Sequence, residues 1–232
     1  MRWSRRFILK LIAGHVINMA IFGGLLFLPA GTWDWRRAWV FLGVLFVAYT
    51  ATMVIVFPGR EYLLDERFKP LIQEGQPPAD KILVLLLVAM FAGLTAFIPL
   101  DVFRFHLMAK PGAVVSSLGL VLFAAGWWII SLSFRENAFA APVVKHQKER
   151  HHTVIDTGVY SLVRHPMYAG SILLMVGMSL WLESYAAALL ASVPIGILIL
   201  RIVFEEEFLR RELKGYDVYM KKVRYRLVPF LW

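Results

Sequence analysis

Cysteine is absent from all 232 residues. That excludes disulfides, thiolate metal sites and a cysteine nucleophile. Charge is scarce. Only 18% of residues are Asp, Glu, Lys or Arg and 59% are apolar, where an average soluble domain has about 25% charged residues. With a mean hydropathy of +0.64, a disordered chain, a collagen or a coiled coil is excluded, and an integral membrane protein is the class that fits. Acidic residues are outnumbered by basic ones, 16 to 25, for a net charge of +9. Such a balance suits a nucleic acid or a membrane surface, and the placement of the charges separates the two.

Six stretches are long and apolar enough to be read as membrane helices: Leu11–Leu28, Ala38–Phe57, Ile82–Leu100, Ala113–Phe134, Met167–Leu182 and Tyr185–Leu200. The first follows a basic start. It is longer than a signal-peptide core of about 7–15 residues and lacks a good cleavage site, so it reads as a retained helix. Glu183-Ser184 leaves room only for a tight hairpin between the last two. Lys and Arg alternate between loops. Residues 1–10, 58–81, 135–168 and 201–232 carry four, four, five and eight, whereas 29–37, 101–112 and 183–184 carry two, two and none. This 21 to 4 split predicts that both termini are cytoplasmic, in a bacterial inner membrane or its equivalent. It also accounts for the net charge, and no nucleic-acid motif accompanies it. The expected fold is all-α: a polytopic bundle of about six transmembrane helices with a C-terminal hairpin and a cytoplasmic site. Residues 1–134 form a four-helix membrane region and 135–232 a region richer in polar groups. Glu74–Pro78 reads as a linker.

Two polar groups stand out. In Arg164-His165-Pro166-Met167-Tyr168, Pro166 suits the first position of a helix. The N–H groups of that terminus, with Arg164 and His165, attract an anion. Arg and Tyr at that depth also serve as interfacial anchors. In Arg201-Ile202-Val203-Phe204-Glu205-Glu206-Glu207, Arg201 and Glu205 share a helix face, although a solvated acidic turn has the same composition. The hairpin makes the coincidence informative. Tyr168 lies fifteen residues before Glu183 and Arg201 seventeen after Ser184, so antiparallel helices bring both groups to one depth. Sixteen residues span about 24 Å, less than a hydrocarbon core of about 30 Å, so these ends sit at or just below the headgroups, where polar groups are costly and tend to be functional. Pro194 is placed to kink the last helix. Tyr216 and Tyr219, after the helix stop at Gly215, are spaced to cover a pocket. The six histidines show no familiar ligand spacing with a carboxylate partner, so no metal is assigned.

The segments Thr157-Gly158-Val159-Tyr160, Arg164–Tyr168, Arg201 with Glu205-Glu206, Gly215-Tyr216 and Arg226-Leu227-Val228-Pro229 resemble those of membrane methyltransferases typified by isoprenylcysteine carboxyl methyltransferase, with phospholipid N-methyltransferases as relatives. Gly31–Trp35 and Asp65-Glu66-Arg67 resemble bacterial members more loosely. The resemblance implies S-adenosylmethionine as methyl donor, held by Gln147, His152, Thr153, Val154, Ile155, Tyr160, His165, Pro166, Met167, Tyr168 and Glu205, and Arg164 beside the helix start suits the donor's carboxylate by its charge. It makes Arg201, Glu205 and Glu206 the catalytic candidates, with Arg201 toward the acceptor. The implied partners are membrane lipids and a lipid or lipid-modified acceptor resembling a prenylcysteine carboxylate. A phospholipid amine and a thiol are the other acceptors open, and an NADPH-dependent membrane reductase, whose relatives carry a similar Arg-His-Pro segment, is the competing class. The soluble nucleotide-fold type of methyltransferase is excluded, because no G-x-G loop follows a strand. A carboxylate acceptor arrives ionised and needs no general base. An amine or thiol does, and Glu206 or a tyrosine is the candidate.

Overall fold

A computed structural model describes residues 5–58, 69–140, 142–145 and 152–232, and among them the chain is helical throughout its regular structure. In chain order the helices are α1 (Arg5–Ala30), α2 (Arg36–Ile55), α3 (Pro78–Leu100), α4 (Ala113–Glu136), α5 (Pro166–Trp181), α6 (Tyr185–Leu190), α7 (Ser192–Glu212) and α8 (Tyr216–Lys222). Asp65, Glu66, Arg67 and Gln147 lie outside the described residues.

Local chemistry sets the boundaries. Both α3 and α5 start with proline at the first turn, where its missing N–H leaves no carbonyl unserved. A π turn, Asp101–Phe105, extends α3 and closes on left-handed His106. There the Asp101 carboxylate accepts from Leu107 N at 2.9 Å and from Ser184 Oγ at 2.6 Å. The same serine caps α6 by accepting from Ala187 N, as an N-cap serine does. The last apolar stretch is interrupted at Ala191, three residues before Pro194. Proline cannot donate to the preceding turn and its ring crowds that turn's carbonyl, so the expected kink is realised as this break between α6 and α7.

Six spans are expected from the sequence. Among the described residues, five helical stretches are long and apolar enough to cross a membrane, one of them Tyr185–Glu212, which runs through α6 and α7. The sixth stretch, α5, has only 16 residues, about 24 Å at 1.5 Å per residue. Between 22% and 33% of each long span's apolar window is buried inside the protein. Most apolar side chains therefore face outward, and burial from water is not what selects helix partners. Close backbone packing is.

That packing is clearest between α4 and α5, the most extensive helix pairing among the described residues. Gly119 and Gly126 of α4 meet Gly177 and Gly170 of α5. A Cβ at Gly126 would lie 2.5 Å from the Gly170 carbonyl oxygen, and one at Gly177 would lie 2.5 Å from Phe123 N. These obstacles are main-chain atoms and cannot swing aside. Gly126→Ala should therefore destabilise the protein by about 1–3 kcal/mol through overpacking. Gly43→Ala, whose Cβ meets nothing within 4 Å, should be nearly silent. Thermal unfolding of both variants in one detergent checks the contrast.

At one end of the bundle, Arg37 bridges to Glu183 at 3.0 Å and donates to Trp181 O, while Trp181 Nε1 donates back to Arg37 O. At the other end the start of α5, the second half of α7, the start of α3 and residues 223–226 converge.

Candidate functional site

The start of α5 is fixed by the C-terminal segment. Arg164 N and His165 N donate to the carbonyls of Tyr225 and Arg226, each at 2.9 Å. Arg164 Nη1 donates to Val223 O and Arg224 O at 2.7 Å. Three side chains then converge on one carboxylate: Arg164 Nε at 2.7 Å and His165 Nε2 at 3.2 Å on Glu206 Oε1, and Arg226 Nε at 2.9 Å on Oε2. Glu206 is only 3% exposed. Charge-assisted bonds of this kind fix orientation as well as contributing energy.

Glu205, about 100° around the helix from Glu206, points elsewhere. Its Oε2 accepts from Tyr168 OH at 2.5 Å. The Tyr168 ring stacks on His165 with centroids 5.5 Å apart and lies 5.7 Å beneath the Arg201 guanidinium. Arg201, buried one turn before Glu205, donates from Nε to Asp80 Oδ1 and from Nη2 to Pro142 O, both at 2.8 Å.

These groups border a cleft that opens to the outside. His152, Thr153, Val154, Ile155 and Tyr160 line it, as do Arg164, His165, Met167, Tyr168, Arg201 and Glu205. Two expected residues stand apart. Pro166 is fully buried and shapes the helix start without reaching the cleft. Glu206 is held behind the wall by Arg164, His165 and Arg226. Sequence reading assigned no role to Asn137, Phe139, Val144, Lys145, Leu209 or Leu213, all on the lining. They are apolar or generic residues of a loop and helix end, with no local pattern to mark them. Asp80 was equally unmarked, because its partner Arg201 is 121 residues away.

The cleft is electrically mixed. Lys145, Arg164 and Arg201 supply cations, Glu205 an anion, and Tyr160, Tyr168, Tyr216 and Tyr219 aromatic faces. Burial pushes the Tyr160 phenol up to about 12, with an Asn137 hydrogen bond opposing and the charge of Glu205 adding. Burial also raises Tyr216 and Tyr219, reinforced by Glu205 and by Tyr160 respectively. None of these three phenols ionises near neutral pH. Glu206 is engaged by Arg164, His165 and Arg226, so neither it nor these three phenols is a free base.

Residues 114–214, which hold most of the cleft, match the family model described as phospholipid methyltransferase. A 70-residue stretch is 31% identical to protein-S-isoprenylcysteine O-methyltransferase B of Arabidopsis thaliana, covering 30% of this chain and 36% of that protein. The chain resembles the isoprenylcysteine and phospholipid methyltransferases. The matched stretch thus spans about a third of the curated relative's length. The solved eukaryotic intramembrane Ras methyltransferase, isoprenylcysteine carboxyl methyltransferase, aligns over 95% of this chain and 86% of its own, with a TM-score of 0.49 and 18% identity.

Proposed function

We propose that this protein transfers a methyl group from S-adenosylmethionine to a lipid or lipid-modified acceptor, a carboxylate like that of a prenylcysteine, at the cytoplasmic face of a membrane. The observation that carries this reading is the single cleft shared by Arg164–Tyr168 and Arg201–Glu205, within the stretch that matches the phospholipid methyltransferases.

The lining suits the donor. Arg164 suits its carboxylate, Glu205 its amine or ribose hydroxyls, and the tyrosine faces its purine and sulfonium. When bound, S-adenosylmethionine supplies a methyl on a positive sulfur, whose S–C bond breaks as the bond to the acceptor oxygen forms. The chain's own contribution is alignment and the exclusion of water. Arg201 holds the acceptor carboxylate, and Tyr168, fixed between His165, Glu205 and Arg201, keeps the two reactants in register. With Glu206 engaged by its partners and the phenols of Tyr160, Tyr216 and Tyr219 raised by burial, an acceptor that arrives ionised is favoured over an amine or thiol that would rely on them.

Calorimetric titration of the purified protein should show binding of S-adenosylmethionine and none of NADPH. Binding of NADPH alone would replace this reading with the reductase class. Glu205→Gln should weaken the donor by about tenfold, the cost of one charge-assisted hydrogen bond. Equal affinity would remove Glu205 from the donor site.

A further inference from the structure

Arg201 has five N–H donors. Two are spent on Asp80 and Pro142 O, and the rest of the fork borders the cleft. What sets its angle is Asp80, which does not itself line the cleft. Asp80 sits in the first turn of α3, where the helix dipole favours a carboxylate. It is 3% exposed, and its second oxygen accepts from Gln76 Nε2 at 2.7 Å and Val144 N at 2.9 Å. Gln76 Oε1 in turn accepts from Gln73 N, and Gln73 Oε1 from Lys145 Nζ at 2.9 Å. One short segment before and into α3 therefore grips both Arg201 and Lys145, two cations of the same cleft. A buried ion pair adds little net stability once both charges are desolvated, so the arrangement is better explained by the orientation it imposes.

We infer that Asp80 is a positioning residue for methyl transfer, acting through Arg201 on the acceptor and not on the donor. This rests on the function proposed above. The full-length protein is assayed with S-adenosylmethionine and an N-acylated S-prenylcysteine, as Asp80→Asn, Arg201→Ala and the double variant. Asp80→Asn is expected to lower kcat/KM for the acceptor by about tenfold or more, as small misplacements of a reacting group do, and to leave the donor Kd within about twofold. In the Arg201→Ala background the same substitution should change turnover by less than about twofold, because the residue it acts through is gone. An equal loss in both backgrounds, or donor affinity falling in step with turnover, overturns the inference. Should Asp80→Asn not survive purification, Asp80→Glu keeps the charge but displaces it by one methylene. It should show the same split, and parallel losses in acceptor and donor overturn the inference equally. If the parent protein binds the donor but methylates no such probe, the proposed acceptor class fails and the role of Asp80 falls with it. If it does not bind the donor, the methyltransferase reading itself fails.

Discussion

Glu206→Ala should unfold at a markedly lower temperature than the parent protein, with a loss of about 3–5 kcal/mol. The carboxylate is the common acceptor of Arg164, His165 and Arg226. Removing it leaves the buried Arg164 guanidinium without its counter-ion and with the half-buried Arg226 beside it. The damage spreads because Arg164 also holds the carbonyls of Val223 and Arg224, so the C-terminal segment loses its anchor to α5. Glu206→Gln keeps the shape but offers one acceptor oxygen where two were used, so it should be intermediate. Substituting apolar residues for Glu206, Arg164 and Arg226 together should recover part of the stability, since the penalty lies in the unmatched charges. Thermal unfolding in a single detergent orders the three. An unchanged melting temperature for Glu206→Ala would show that the clasp contributes nothing.

Arg201→Ala should lower kcat/KM for the acceptor by about 10²–10³-fold, the range seen when a preorganised donor to a reacting oxygen is removed. Donor affinity should stay within about threefold of the parent. Arg201→Lys should restore little: an ammonium is a point charge and cannot meet Asp80, Pro142 O and an acceptor from one rigid fork. Steady-state kinetics against the prenylcysteine probe, paired with donor titration, separates the two effects. Turnover equal to the parent's would take Arg201 out of the reaction. Loss of donor binding in step with turnover would make it a donor ligand or a purely structural group.

The pairing of Arg164–Tyr168 with Arg201–Glu206 was legible because a short turn between two apolar stretches of similar length fixes which ends meet. In the structure the neighbouring glutamates diverge around α7, one toward Tyr168 and one toward Arg164. Three features lay beyond local reasoning. Asp80 reads as a first-turn acid and nothing more, since no periodicity joins it to Arg201. Arg226 reads as one more tail cation, and only the chain's return alongside α5 brings it to Glu206. The wall formed by His152–Ile155 has no repeat at all, so it was reachable only through family resemblance. All six apolar stretches are helical, and five of them are long enough to cross a membrane. Apolar length marks a helix without stating whether it crosses the bilayer, and α5 is the short one.

The glycine contacts between α4 and α5 have a mechanical consequence. Two helices whose main chains already touch cannot slide or part without breaking that seam, so the wall carrying Asn137 and Arg164–Tyr168 behaves as an anvil. A ligand entering the cleft therefore meets one wall whose two helices are locked together at the main chain.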